Sequence, residues 1–257
     1  MTHPPVRAYR ILLDRYGPQG WWPVTPPGSA SPVYRPGRRG PLTEREAFEV
    51  AVGAVLTQNT AWTNVARALE ALHANGGLSP RKIGRMSRGR LQRLIRPSGY
   101  FRQKSIKLGD LAAAVRAHKG PGGPGLLRWL AGDLGRAREE LLAVRGIGPE
   151  TADSILLYAG GRDAFVIDAY TLRIGSRVGW LPAGTAYADA QARLAAALAR
   201  LGKGARGRAV VYQEFHALLV RLAKLHCRTK PLCGACPLVG GCRVGKSAEA
   251  SGRGRGL

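Results

Sequence analysis

The sequence predicts an all-α protein, on three observations. Apolar residues recur at helical spacing through most of its 257 residues. No stretch alternates apolar and polar side chains strongly enough to make a strand. The stretch from Leu141 to Tyr170, LLAVRGIGPETADSILLYAGGRDAFVIDAY, reads as two helices joined by a tight turn. An apolar helix runs to Val144 and the turn Arg145-Gly146-Ile147-Gly148-Pro149 follows. A second helix starts near Glu150, with Ala152, Ile155, Leu156 and Ala159 at helical spacing. Pro149 suits a first helical position, where no donor is needed. The two glycines allow left-handed backbone and close approach of another chain. Such a helix-hairpin-helix turns backbone N–H groups outward at a helix N-terminus, where an anion such as a phosphate can sit.

Composition points to the anion's source. Lys and Arg number 40 against 16 Asp and Glu, a net charge of +24. That imbalance, beside a phosphate-binding turn, implies nucleic acid rather than membrane as the partner. No run is long enough to span a bilayer, and MTHPPVRAYRILLDRYG does not read as a signal peptide. The expectation is a soluble, cytoplasmic, nucleoid-associated protein. A hydrophobic fraction of 45% is that of a globular chain, large enough for one core or two small lobes.

The elements follow in order. Val6 to Tyr16 is an amphipathic helix with Tyr9, Leu12, Leu13 and Tyr16 on one face. Gly17 to Pro41 is a Pro- and Gly-rich loop that carries Trp21-Trp22-Pro23. Two adjacent tryptophans in a loop either plug a core or wall a site for a flat ligand. Thr43-Glu44-Arg45-Glu46 is a capping box that starts a nearly all-apolar, hence buried, helix. That helix ends at Gln58-Asn59-Thr60, which either caps it or delivers a polar side chain to a nucleic-acid-facing surface. Ala61 to His73 is helical, and Gly76 to Ile95 holds short helices. Arg96-Pro97-Ser98-Gly99-Tyr100-Phe101 opens a helix through Val115, and Gly120 to Gly125 is a flexible connection. Helices at Leu126 to Leu134 and Arg138 to Val144 lead into the hairpin. Beyond Asp168 come a helix to Val178, an Ala-rich helix from Tyr187 to Leu201, a basic loop from Lys203 to Arg208, and a long helix from Val210 to Leu225. The tail from Ser247 is low in complexity and expected to be disordered.

All four cysteines lie in one segment, Cys227, Cys233, Cys236 and Cys242, spaced C-x5-C-x2-C-x5-C. Zinc sites usually pair two tight C-x2-C units across a longer stretch. A cubane needs one thiolate per iron corner from a short wrapping loop. The spacing therefore favours a [4Fe–4S] cluster over zinc, with Arg228, Lys230, Arg243 and Lys246 offered to phosphate nearby.

The hairpin Val144 to Ala152, with Asp168 eighteen residues after Glu150, resembles the helix-hairpin-helix DNA glycosylase superfamily, the endonuclease III relatives. The pattern of that family is L-P-G-V-G-x-K-T-A followed by an aspartate about eighteen residues on. Many of its members carry a cluster loop spaced C-x6-C-x2-C-x5-C, one residue longer in the first spacer than here. Within the superfamily the sequence is most similar to the type III 3-methyladenine DNA glycosylases, over most of Gly20 to Arg177. The matching stretches are Trp21-Trp22-Pro23, Phe48-Glu49-Val50 through Thr60, Arg96 through Phe101, and Gly146-Ile147-Gly148-Pro149-Glu150.

The resemblance implies an endonuclease III-like fold of two helical lobes. One is expected at residues 41–161 with the hairpin, the other at 1–40 plus 162–246 with the cluster, followed by a tail at 247–257. It implies a base pocket of Trp21, Trp22, Pro23, Phe48 and Glu150, with Asp168 as the catalytic carboxylate. Read from its residues alone, Asp168 would be a helix N-cap. Gln58 would fill the gap left by a flipped base. Arg145, Gly146, Ile147, Gly148, Thr151, Arg228 and Lys230 would hold the DNA backbone, and the four cysteines the [4Fe–4S] cluster. Where the family has its catalytic lysine this chain has Glu150, which cannot form a Schiff base. The expected activity is therefore that of a monofunctional glycosylase. It would act as a monomer on double-stranded DNA and excise a damaged base, an alkylated purine above others. The alternatives are a glycosylase/AP lyase for oxidised pyrimidines and a non-catalytic DNA-binding iron–sulfur protein. An adenine-mismatch enzyme is expected to carry a further C-terminal domain, where this sequence has a short tail.

Overall fold

The computed structural model describes residues 2–36, 42–76, 78–119 and 124–246. The expected tail at 247–257 and residues 120–123 of the expected flexible connection lie outside them. Twelve α-helices make up the described chain: α1 (Pro5–Tyr16), α2 (Glu44–Leu56), α3 (Trp62–Ala74), α4 (Pro80–Arg85), α5 (Arg88–Leu94), α6 (Phe101–Ala117), α7 (Leu126–Ala131), α8 (Leu134–Leu142), α9 (Pro149–Ser154), α10 (Ala169–Val178), α11 (Tyr187–Leu198) and α12 (Gly204–Leu225). A π turn over Ile155–Ala159 continues α9. The only β pairing among the described residues is a single bridge between Val24 and Val33, so the all-α expectation holds.

The described residues form two compact units, one within 20–164 and the other within 2–19 and 165–246. The first is built around α2. Every residue from Glu46 to Leu56 is buried, as an apolar run with no polar face requires. The expected capping box starts it: Thr43 N–H donates to Glu46 Oε2 at 2.9 Å, and Glu46 N–H donates to Thr43 Oγ1 at 3.3 Å. A Glu44 carboxylate oxygen accepts from Leu127 N–H at 3.0 Å, capping α7. Helices α3, α6, α7, α9 and the π turn pack on α2. The second unit joins α1 to α10, α11, α12 and the cysteine loop. Phe215 of α12 meets Tyr9 edge-on at 5.8 Å, and Trp180 Nε1 donates to His3 O at 2.6 Å.

Two expectations need correction. The division at residue 40 is wrong for residues 20–36, which belong to the α2 unit. Thr25 N–H and Oγ1–H donate to the buried Glu49 carboxylate at 2.9 and 2.6 Å, and Arg45 braces the same carboxylate at 3.2 Å. A Pro- and Gly-rich composition marks a loop but does not say which core holds it. The basic loop expected at Lys203 to Arg208 is instead the first turn of α12. There the backbones of Gly202 and Gly207 pass so close that a Cβ on Gly202 would lie 2.3 Å from Gly207 C, an approach open only to glycine.

Candidate functional site

In the first unit, the Glu49 anchor places Trp21 and Trp22 in an aromatic cluster. Trp22 meets Trp62 at 5.5 Å, nearly perpendicular at 88°, and Tyr158 at 5.4 Å. Trp21 meets Trp62 at 5.2 Å and Tyr34 at 5.6 Å. Gly53 lets Trp22 settle onto α2, since a Cβ there would stand 3.0 Å from the indole nitrogen. Both indole N–H groups are buried with no acceptor among the described residues, a costly state that an incoming acceptor would relieve. Pro23 is buried beside the cluster. Phe48, expected in the pocket wall, is 1% exposed and packed in the core of the unit. Trp62 and Tyr158 were not expected here. Their helical spacing reads as ordinary core, and only the tertiary contact singles them out.

The hairpin forms as the sequence implies. Val144 N–H donates to Leu141 O at 3.1 Å and Ile147 N–H to Val144 O at 3.0 Å, closing the turn. Gly146 has φ 82°, a left-handed conformation that demands glycine, and the Lys107 side chain lies where a Cβ would be. Arg145, Gly146, Gly148 and Glu150 are exposed; Ile147 and Thr151 are buried beneath them. Arg138 of α8 grips Asp153 of α9 with both arms, at 2.7 and 3.1 Å, and fixes the angle of the hairpin. Gln58, expected to fill the gap left by a flipped base, is tied to the hairpin in the DNA-free chain. Its amide nitrogen donates to Gly146 O at 3.1 Å and Thr151 Oγ1 at 3.0 Å, and its oxygen accepts from Lys107 Nζ at 2.6 Å. Tyr100 is 65% exposed and held at φ 44° ahead of α6, the more exposed of two aromatics, with Tyr34 at 44%, among the described residues of this unit. Lys104 ties the turn before Tyr100 to the end of α2: Nζ donates to Ser98 O at 2.7 Å and to Leu56 O at 2.8 Å. Burial, helped by the charge of Lys107, lowers the Lys104 pKa to about 8. A left-handed tyrosine after Gly99 leaves no local sequence signal beyond the glycine itself.

In the second unit, Asp168 is the N-cap of α10, and its Oδ1 accepts from Thr171 N–H at 2.6 Å. His216 Nε2 stands 3.5 Å from its Oδ2. Burial acts to raise its pKa, but the nearby His216 imidazole and the bond from Thr171 N–H together outweigh burial and hold the carboxyl below the ordinary aspartate value. The cap reading and a catalytic one are compatible, because capping occupies only one oxygen.

The four cysteines line one cavity with Arg177, His226, Leu232 and Val239. Arg177 Nη1 approaches Cys227 Sγ at 3.4 Å, and the same guanidinium donates to Arg228 O and Thr229 O at 2.5 and 2.8 Å. Burial, then the crowding of the other three cysteines, pushes the Cys236 thiol up to about 11. No group of three His, Cys, Asp or Glu side chains among the described residues is set to hold a single metal ion. Arg228 and Lys230 are exposed on the outer surface of the loop.

Residues 52–200 match the HhH-GPD superfamily of base excision DNA repair proteins. A Methanocaldococcus jannaschii protein that carries the provisional name DNA repair glycosylase is 36% identical over 232 residues, 90% of this chain and 92% of its own. Among solved structures, the H. pylori 3-methyladenine DNA glycosylase bound to 1,N6-ethenoadenine superposes with a TM-score of 0.66 at 24% identity, over 86% of this chain and 98% of that one. A trapped endonuclease III–DNA covalent intermediate gives 0.62 at 22%, over 83% and 91%. At those identities the likeness establishes a shared fold. With the family match over more than half the chain and a relative similar along nearly its whole length, this protein belongs to the HhH-GPD superfamily of base excision repair DNA glycosylases.

Proposed function

We propose that this protein is a monofunctional DNA glycosylase that excises alkylated purines. The observation that carries the reading is the carboxylate at position 150, exposed in the first turn of α9, in a hairpin with no lysine between Leu141 and Tyr170. A lyase needs an amine nucleophile there. Lys104 is no substitute despite its lowered pKa, since it is 2% exposed and its amine is bonded to two backbone carbonyls. Glu150 thus adds negative charge where a cationic base would be welcome.

The aromatic cluster supports the choice of base. Methylation at N3 or N7 puts positive charge on a purine, and an aromatic face attracts such a cation by roughly 0.5–2 kcal/mol. A charged base also leaves readily and needs little acid catalysis. Asp168, kept ionised, then stabilises the positive sugar and orients the attacking water. The exposed hairpin with Arg145, and Arg228 and Lys230 of the cysteine loop, serve the DNA backbone. Tyr100, the most exposed of the described aromatics, offers a stacking face.

The test is release of bases from duplex DNA methylated at purine N3 and N7, with strand breaks scored before and after alkali. Methylpurine release with breaks only after alkali is expected; breaks without alkali would overturn the assignment of Glu150. In the same assay Trp22→Ala should lower turnover at least tenfold, the loss expected from about 1.4 kcal/mol of ring contact. A variant that melts early yet turns over normally would return Trp22 to the core.

The cysteine loop fits a [4Fe–4S] cluster. A cubane takes one thiolate at each corner, so its ligands line a cavity rather than converge on one ion. Cys227, Cys233, Cys236 and Cys242 would hold it, and it would tie the loop to α10 through the Arg177 side. Bound, the cluster would supply charge neutralisation and structure to a set of crowded thiols. Anaerobic reconstitution should give about four iron and four sulfide per chain and a visible charge-transfer band. Cys236→Ser should lose both, whereas a stoichiometry of one zinc would reject the cluster.

A further inference from the structure

Asp168 has a neighbour without a role in the chemistry above. His216, on α12, is 6% exposed. It sits among apolar positions, between Phe215 and Ala217, where a polar ring is costly without a partner. Its Nε2 faces Asp168 Oδ2 at 3.5 Å, while Oδ1 is occupied by Thr171 N–H. That distance is at the outer limit of a hydrogen bond, a length common in active-site pairs before substrate arrives. The histidine therefore addresses the one carboxylate oxygen left for chemistry.

The other polar groups nearby have partners of their own. Glu214 of α12 accepts from Gln19 N–H at 2.7 Å. Tyr212 donates its hydroxyl to Ala195 O at 3.1 Å, the Tyr187 hydroxyl of α11 accepts from Ile167 N–H at 3.4 Å, and Tyr9 of α1 turns its ring to Phe215. Among the described residues, His216 and Thr171 are the groups that act on the carboxylate.

We propose that His216 is a positioning residue for Asp168, donating from Nε2 to Oδ2 so that the carboxylate keeps its plane and its charge. This rests on the reading of Asp168 as the catalytic carboxylate. No proton needs to leave the imidazole: the pair acts by fixing a negative charge, as preorganised electrostatics does. The lowered pKa of Asp168 is the equilibrium trace of the same contact.

The experiment needs one readout that does not depend on substrate. Carbon-detected NMR titration of the Asp168 carboxyl is compared in wild type, His216→Phe and His216→Gln, with melting curves as the check on folding. Loss of the donor in His216→Phe should raise the Asp168 titration by about one pH unit or more, and the amide of His216→Gln should restore it. Single-turnover release from dimethyl-sulfate-treated duplex DNA should fall about 10–100-fold in the Phe variant, recover in the Gln variant, and leave DNA affinity unchanged. If the Phe variant does not fold, His216→Leu takes its place. An unshifted Asp168 titration, or a Gln variant as impaired as the Phe variant, overturns the proposal. Full release by Asp168→Asn would overturn the catalytic reading instead, and the titration would still report separately on the pairing.

Discussion

Replacing Asp168 with Asn should lower single-turnover base release by about a thousandfold while DNA binding stays within a factor of about three. The expectation follows from what the substitution keeps. Asparagine is as good an N-cap as aspartate, so the bond to Thr171 N–H and the start of α10 survive. What disappears is the negative charge, the feature that matters as a glycosidic bond breaks and the sugar turns cationic. The pH dependence has a definite sign. The folded pKa lies below the ordinary value of 3.8, so the carboxylate is ionised throughout the neutral range. The stabilisation from its partners is therefore fully present above the unfolded value and is lost only as pH falls through the folded one. Wild type should hold its rate and melting temperature down to that acid range, where the Asp168→Asn enzyme should show no such step. Activity of that variant within tenfold of wild type would remove Asp168 from the chemistry.

The second large effect concerns stability. Arg138→Met should cost about 3–5 kcal/mol, because it strands the fully buried Asp153 carboxylate without its guanidinium. Asp153→Asn should cost less. Its amide keeps part of the geometry, and Arg138, a third exposed, can turn to water. Urea unfolding followed by a probe in residues 20–164 would measure both. Equal losses in the two variants would contradict the asymmetry, which depends on which partner is left buried. Because the pair holds α8 against α9, the Met variant should also weaken DNA binding before it unfolds.

The sequence carried most of the helices and the hairpin because these depend on local rules. The capping box at Thr43 and the apolar run after it can be read only one way, and Gly146 and Pro149 mark the turn by their own conformational limits. What escaped is what two distant segments make together. Trp62 reads as one apolar position in an amphipathic helix until Trp21 and Trp22 arrive against it. Gln58 looks like a polar probe at a helix end until Lys107 and the hairpin take its amide. His216 looks like an odd polar residue in α12 until Asp168 is placed opposite. The assignment of residues 20–36 failed for the same reason, since the bond from Thr25 to Glu49 spans 24 positions and has no periodic signature.

The split layout of the second unit has a consequence for synthesis. Residues 20–164 form a continuous unit, so their core can assemble as soon as they leave the ribosome. The other unit cannot. Gln19 must find Glu214, 195 residues later, and His3 must reach Gly241 beside the last cysteines. Helix α1 is made well before its partners and waits for them with its apolar face open. Contacts so distant in sequence form slowly. The vulnerable species in the cell is thus a chain with a finished first core, an unclaimed N-terminal helix and an unclosed cysteine loop. Production should be limited by that late closure and improved by slowing synthesis or lowering temperature.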